Sequence, residues 1–486
     1  MRWWCSPGRK YVFKTLWKCR DGIKEWTSLP SKVEKAQPSR WPARDLSTCR
    51  VFIVAGEASG DAIGSRLMAS LCKLSPYQLE FAGVGGPLME REGLKSQFPM
   101  EDISIMGLLE LIPHTLRLWM RLRETIAAAV KFQPNVVITI DSKGFSFRLL
   151  HGITDAYAGM SQCRPLAVHY VAPSFWAWKG GEETLRHLSK IIDHMLCILP
   201  FEEASCQANG IGATFVGHPV LEDAFHVTAS AKNDDGPEAI TGDAANFREQ
   251  HGLHKGSTLL SVLPGSRLQE VQRMLPIFES AMTRLQNSDP DLTVVIPTAQ
   301  PGSVTRAVEA LVAKWRVPVV LLPGASCAEK YNALTASNAA LCTSGTAVLQ
   351  THLASVPCVA AYRAHPITEY FIRRRTKLQF ISLPNILLNS AIIPEALFGA
   401  CTAGQIVSYL RPLIDDEIVR KKQLLRAEEL RDLLSPVTHE MSISSTMGSS
   451  SLENRIMPRK PSFVAASCIL KLLEDRAHRI KAGSSL

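Results

Sequence analysis

Short apolar runs, many of them β-branched, alternate along the chain with helical stretches and with turns that carry glycine or proline. The first clean run, Val51-Phe52-Ile53-Val54-Ala55, has no polar position on either face and reads as a fully buried strand. Gly56 then opens a tight loop, and Ser59 or Asp61 is placed to cap a helix from Ala62 to about Lys73. Similar runs at 79–84, 134–141, 166–171, 195–199 and 214–219 predict further strands, with a helix from about Thr115 to Phe132 between the second and third. A second series follows at 258–263, 292–297, 317–322, from 339, at 356–362 and at 380–385, with a helix running to about Asn287 after the first of these. Strand and helix in alternation predict doubly wound α/β domains, in which ligands sit at the C-terminal ends of the strands.

The rhythm also divides the chain. Residues 1–49 lack periodicity; 50–222 form a first Rossmann-like domain, 223–251 a polar linker or insertion, and 252–434 a second Rossmann-like domain. The Ser/Met-rich stretch 435–460 reads as disordered, and 461–486 as a last amphipathic helix (about Ser462 to Asp475) that packs back on the first domain.

Charge sharpens this division. Residues 1–49 hold 11 Lys/Arg against 4 Asp/Glu, so most of the net charge of +9 lies there and the body is close to neutral. Bulk charge therefore gives a nucleic-acid partner no support. The leader has no apolar core of a secretory signal and reads as a mitochondrial targeting segment, with plastid or cytosol as alternatives; Asp21, Glu25 and Glu34 argue against an organellar peptide. The 12 cysteines are scattered without C-x-x-C or Cys/His pairs, which fits free thiols in a reducing compartment. No apolar run reaches the roughly 18 residues of a membrane-spanning helix.

Candidate chemistry gathers at the strand ends. Glu57, Ser59 and Asp61 crowd the first loop, where pyrophosphate binders keep glycines, and the spacing fits neither G-x-G-x-x-G nor a P-loop. Such a loop could receive sugar hydroxyls or a proton, or be a capped turn. Asp141 ends the third strand, where it could be a base or cap the next helix. Gly85 and Gly86 would let the backbone approach a ligand. Pro264-Gly265-Ser266-Arg267 at a helix start offers N–H groups and a guanidinium to an anion, and Ser344-Gly345-Thr346 is a second such start, suited to a nucleotide diphosphate. Trp176 and its aromatic neighbours suit a ring or an apolar cleft, or simply the core. The helix near 115–132 mixes Leu, Trp and Met with Arg117, Arg121 and Arg123: a core helix with a solvated face, or a surface for acyl chains and anionic headgroups.

Taken together, A-G-E-A-S-G-D (55–61), G-V-G-G-P-x-M (83–89), E-D-I-S-I-M-G (101–107), I-D (140–141), P-S-x-W-A-W (173–178), L-P-F-E (199–202), V-G-H-P (216–219), L-P-G-S-R-x-x-E-V (263–271), S-G-T-A (344–347), A-Y-R (361–363) and S-L-P-N (382–385) resemble lipid-A-disaccharide synthase from about Arg50 to Glu395. The resemblance implies a GT-B fold, two Rossmann-like domains facing across a cleft. It also implies inverting, metal-independent transfer of 2,3-diacylglucosamine from UDP-2,3-diacylglucosamine to 2,3-diacylglucosamine 1-phosphate, giving a β-1,6-linked disaccharide and UDP, with no cofactor. On this resemblance Asp141 is the base, with Glu57 its rival or helper. Ser266, Arg267, Ser344, Gly345 and Thr346 hold the diphosphate; Glu270 and Asn385 orient donor or acceptor, and Gln350 binds the UDP-sugar at its ribose hydroxyls. Ser59, Asp61, Met106, Leu108, Leu111, Trp119 and Trp176 face the acceptor and its acyl chains, in peripheral contact with a membrane, and the oligomeric state stays open. Two departures stand out: Gln350 where the family commonly has Glu, and Ser142-Lys143-Gly144-Phe145-Ser146 where it has A-P-D-F-N. Competing readings are a UDP-sugar 2-epimerase of the same architecture and a non-catalytic lipid or UDP-sugar binding protein.

Overall fold

The computed structural model describes residues 48–103, 111–160, 162–223, 242–298, 302–343, 345–364, 366–436 and 460–483; the side chains of 111–115, 367, 371, 373 and 480–483 are outside the description. Two parallel sheets carry the fold. The first has strands β1 (Thr48–Ala55), β2 (Gln78–Val84), β3 (Lys95–Ser96), β4 (Val136–Ile140), β5 (Leu166–Tyr170), β6 (His194–Cys197) and β7 (Gly212–Phe215), in the order β3-β2-β1-β4-β5-β6-β7. The second has β8 (Leu259–Leu263), β9 (Thr293–Pro297), β10 (Val319–Leu322), β11 (Ala339–Cys342), β12 (Cys358–Tyr362) and β13 (Glu395–Leu397), in the order β10-β9-β8-β11-β12-β13. In each sheet the strand order reverses once, between β1 and β4 and between β8 and β11. Those reversals are the switch points at which doubly wound sheets take ligands.

Burial explains the strands. Val51 to Ala55 and Val136 to Ile140 are buried on both faces, as helix-covered parallel strands require. The β1–β2 register sets Ile53 opposite Gly83. At φ 147°, a Cβ on Gly83 would lie 1.8 Å from the Ile53 carbonyl oxygen, so this pairing demands glycine. In the second sheet Leu260, Val262, Val294, Ile296 and Leu341 build the core with Met274, Phe278 and Met282 of the helix Leu268–Gln286.

By packing, the described residues of 48–65 and 75–168 form one compact unit and those of 66–74 and 169–483 another. Helix α1 (Ala58–Leu74) begins earlier than the sequence suggests, so Ser59 and Asp61 lie in its first turn and do not cap it. The stretch 380–385, expected as a strand, instead leads into the helix Leu383–Leu388, because Ser382 takes extended geometry before a proline in the first helical turn. Asp243 caps a helix at Ala244–Gln250, inside what reads as irregular linker; 224–241 are outside the described residues, as are 1–47 and 437–459. The last helix is longer than expected, Pro461–Gly483. Its Ser462 N–H and hydroxyl donate to Glu222 at 2.6 and 3.0 Å, and Ser70 meets the Ser462 hydroxyl at 2.9 Å. No disulfide joins the described cysteines, and no described helix is long and apolar enough to cross a membrane.

Candidate active site

At the first switch point Ala55 pairs with Ile140, so the loop bearing Glu57 and the turn bearing Asp141 leave adjacent strand ends. Both side chains are half-buried and Ser59 is exposed. Asp141 and Ser142 both hold positive φ, 46° and 44°, a conformation that costs an L-residue about 1–2 kcal/mol. The turn is pinned from inside: the buried Ser146 hydroxyl donates to the Asp141 carbonyl at 2.7 Å, and Phe145 and Ser146 N–H groups donate to the Ser142 carbonyl. Gly56 makes room for it, since a Cβ there would lie 2.3 Å from the Ser142 hydroxyl. Strain held at a carboxylate-bearing strand end beside Glu57 makes this turn the candidate for chemistry in the first sheet.

Asp61 has another role. It is 3% exposed, and its carboxylate accepts from the Gly86, Leu88 and Met89 N–H groups at 2.9, 3.0 and 3.0 Å. It thus serves the start of helix α2 (Pro87–Arg91), and Gly86 approaches Asp61, not a ligand: a Cβ at Gly86 would sit 2.5 Å from Asp61 Oδ2. Expectations for both positions are corrected accordingly.

Helix α3 (Leu111–Phe132) starts four residues before the expected position. Its Arg121 binds Asp102 through Nε at 2.9 Å and Nη2 at 2.6 Å and lies over the Phe98 ring, and Arg117 stands 3.7 Å from Asp102. Arg123 covers the half-buried Trp119 ring at 4.7 Å. Leu116 and Met120, one turn apart, are 66% and 51% exposed. Met106 and Leu108 lie outside the described residues; Leu111 opens α3, its side chain outside the description. Trp176 donates from Nε1 to Glu202 at 3.0 Å and packs edge-on to Phe201. Burial pushes the Glu202 carboxyl up to about 7, against the Trp176 bond and the N–H groups of Leu199 and Ile198 that it accepts.

At the second switch point Leu263 pairs with Cys342, which sets the Pro264–Arg267 turn beside the 343–346 turn. Gly265 takes φ 108°; a Cβ there would stand 2.8 Å from Glu270 and 3.2 Å from the Thr343 hydroxyl, which itself donates to the Leu263 carbonyl. Gly345 takes φ 119°, and a Cβ on it would meet nothing within 4 Å. Among the described residues nothing covers the amino end of helix α4 (Thr346–Leu353), and Thr346 is exposed. Ser344 lies outside the described residues. Ser266 and Arg267 are exposed, and Arg267 stands 3.4 Å from Glu270. Burial, then Glu270, raise the Tyr362 phenol pKa while Arg273 and Arg267 lower it, so these four side chains share one neighbourhood. Arg273 also donates to the Arg363 carbonyl at 3.5 Å. Sequence reasoning missed Arg273 and gave Arg363 no role; the only signal was the A-Y-R run.

Of the amides expected to meet ligand, Asn385 is fully engaged by the protein itself and Gln350 is engaged in part. Asn385 is 1% exposed: its oxygen accepts from the Ile392 and Ile393 N–H groups and its amide donates to the Ile393 carbonyl and to Glu395, at 2.8 to 3.0 Å. An asparagine with both amide hydrogens and both lone pairs engaged holds a loop together and orients no substrate directly. The Gln350 amide donates to Asp223 at 2.8 Å and accepts from Lys330.

Comparison with known proteins decides the family. The profile described as lipid-A-disaccharide synthetase matches residues 51–446. A "probable lipid-A-disaccharide synthase, mitochondrial" of Arabidopsis thaliana is 50% identical over 93% of this chain and 97% of its own length. The chain belongs to the lipid-A-disaccharide synthase family. The corresponding synthase of Rhodospirillum centenum is 41% identical over 77% of this chain and 87% of its own. Among solved structures, the UDP-GlcNAc 2-epimerase of Neisseria meningitidis bound to UDP-GlcNAc superposes with a TM-score of 0.53, covering 79% of this chain and 97% of that one at 11% identity. That likeness shows the GT-B type of α/β fold and no more.

Lipid-A-disaccharide synthases are glycosyltransferases that join a UDP-activated acyl sugar to an acceptor sugar, and this chain carries that function. Against that background the two departures gain physical content. Ser146 in the altered run after Asp141 anchors the Asp141 carbonyl. Gln350 bridges an acid and an ammonium, which a glutamate at that position could not do, having no hydrogen to donate to Asp223.

Proposed function

We propose that this synthase transfers the 2,3-diacylglucosaminyl group of UDP-2,3-diacylglucosamine to the 6-hydroxyl of 2,3-diacylglucosamine 1-phosphate with Asp141 as general base. The acceptor oxygen forms its bond to the sugar C1 as the bond from C1 to the diphosphate breaks. The proton passes to Asp141, and the electron pair leaves on UDP. Attack from the face opposite the leaving group inverts the anomeric carbon. The observation that carries this reading is the strained Asp141 turn beside the Glu57 loop at the β1/β4 switch point. Glu57 orients the acceptor hydroxyl, and Ser59 lies at the exposed side of the same loop. The leaving diphosphate is received by the open first turn of α4, by Thr346 and the Gly345 N–H, and by Arg267, with Ser266, Ser344 and Glu270 around it. Asp61 and Asn385 hold the loops in place. Asp141→Asn should cut disaccharide formation, followed by mass spectrometry, by about 10²- to 10⁴-fold while UDP affinity stays within a few-fold. Turnover near the wild-type rate would exclude Asp141 as base, and a wild type that binds UDP but makes no disaccharide would favour a binding protein.

Acyl chains are best served by α3. Exposed Leu116 and Met120, with the half-buried Trp119 beside them, are apolar positions flanked by arginines and suited to the surface of an anionic membrane. Met106, Leu108 and Leu111, upstream in sequence, are assigned to the same acyl contact on the family resemblance. Leu116→Ser with Met120→Ser should reduce sedimentation with anionic vesicles; equal sedimentation would refute the contact. Trp176 has its Nε1 bonded to Glu202 and meets the acceptor by its ring. A mitochondrial location rests on the basic leader and on the Arabidopsis relative's printed name. Residues 1–60 fused to a fluorescent protein test it, and diffuse cytosolic signal would refute it.

A further inference from the structure

We propose that Asp223 is a positioning residue for the donor site, holding α4 through Gln350; the inference rests on the reading that the first turn of α4 receives the diphosphate. A continuous polar chain runs Arg66, Asp223, Gln350, Lys330. The Arg66 Nη2 donates to Asp223 Oδ1 at 2.7 Å and its Nη1 to the Pro219 carbonyl at 3.1 Å. The other carboxylate oxygen accepts from Gln350 Nε2 at 2.8 Å, and Lys330, on the helix Cys327–Ala336, donates to Gln350 Oε1. The Arg66–Asp223 pair is mostly shielded, with side chains 21% and 12% exposed, so solvent does little to weaken it. Burial opposes the charges of Arg66 and Lys330, and the field of Asp223 favours both.

Geometry makes Gln350 the handle. It lies one turn into α4, so a bond at its side chain sets the roll and slide of the helix whose amino end stands open at Gly345. The Gln350 amide donates to the acid and accepts from the ammonium at once. Each end of the bridge is thereby fixed in polarity, which predicts a specific pattern of loss and rescue. Asp223→Asn retains an oxygen for Arg66 but turns an NH₂ toward the Gln350 NH₂. Gln350→Glu puts a carboxylate oxygen against Asp223 Oδ2. Combining them restores complementarity: the new amide at position 223 donates to the new carboxylate at position 350, which still accepts from Lys330.

The test measures UDP affinity by calorimetry, donor KM, kcat and melting temperature for the full chain and its variants, with Arg267→Ala as reference. Each single variant should weaken UDP and raise donor KM about tenfold with kcat changed by less than threefold, and the double variant should return to within about threefold of wild type. A double variant no better than the poorer single overturns the coupling, as does either single with unchanged KM. If Arg267→Ala weakens UDP while Asp223→Asn does not, the donor-site reading stands and Asp223 has no part in it. If Arg267→Ala also leaves UDP affinity unchanged, the donor-site reading itself fails. Loss of folding would appear in the singles' melting temperatures, and rescue by the double variant cannot come from generic destabilisation.

Discussion

Replacing Asp61 separates scaffolding from chemistry in the A-G-E-A-S-G-D loop. The carboxylate is buried and receives three of the amide groups that no residue within α2 can satisfy. A hydrogen bond to a charged acceptor contributes about 1.5–3 kcal/mol, and a neutral one about 1. In Asp61→Asn the oxygen in place of Oδ1 still accepts from Gly86 and Met89 at neutral strength, whereas the NH₂ in place of Oδ2 faces the Leu88 N–H. The expected cost is about 2–4 kcal/mol for Asn and about 4–6 for Ala, which strands all three donors. For a unit of this size that converts to a melting temperature roughly 6–12 °C lower for the Asn variant. Native-state hydrogen exchange read at Gly86, Leu88 and Met89 should quicken before the rest of the sheet. Disaccharide formation assayed well below both melting points should stay within a few-fold of wild type. An Asn variant that melts with the wild type but loses turnover a hundredfold would refute this reasoning and return Asp61 to the substrate.

Buried histidines give the protein an acid limit. Burial lowers His169 to about 3 and His194, His218 and His352 to about 4, so the unfolded chain takes up protons first as pH falls below about 6.5 and stability drains away between there and about 4. His352 is fully buried with neither ring nitrogen bonded among the described residues, and His352→Leu should recover about 2 kcal/mol of the stability otherwise lost by pH 5, seen as a shallower fall of denaturation midpoint between pH 7 and 5. An unchanged slope would count against it. Gly83→Ala should cost about 4 kcal/mol or more, since the new methyl must push the β1 backbone away; a variant melting within about 2 °C of wild type would show that the sheet yields there.

What the sequence made legible follows from distance. Strands buried on both faces announce themselves, and the four loops at the two switch points follow from strand ends, so the placement of Glu57, Asp141, Arg267 and Thr346 just beyond those ends is legible from local pattern. Short apolar runs beside a proline are ambiguous, which is why 380–385 read as a strand. The partners of Asp61, 25 to 28 positions away, and of Asp223, 127 and 157 positions away, belong to no local pattern. The family resemblance made Asn385 a ligand group, but a buried amide that satisfies the backbone has the same letter as one that meets a substrate. The side-chain bridge of Gln350 to Asp223 and Lys330 likewise has no local signal.

The helix Pro461–Gly483 bears on the order in which the chain matures. Its Ser462 contacts lie 240 positions from Glu222 and 392 from Ser70. Contacts this remote in sequence form late, because the intervening chain must first be gathered in. A ribosome or a translocation pore delivers residue 462 only after every strand of both sheets has emerged. Ser70 belongs to the same helix as the loop of Glu57, so that helix receives its last support at the end of synthesis. Chains cut short before residue 461 would therefore carry all the groups of the candidate active site on an unfinished frame, and quality-control proteases would meet them as incomplete molecules.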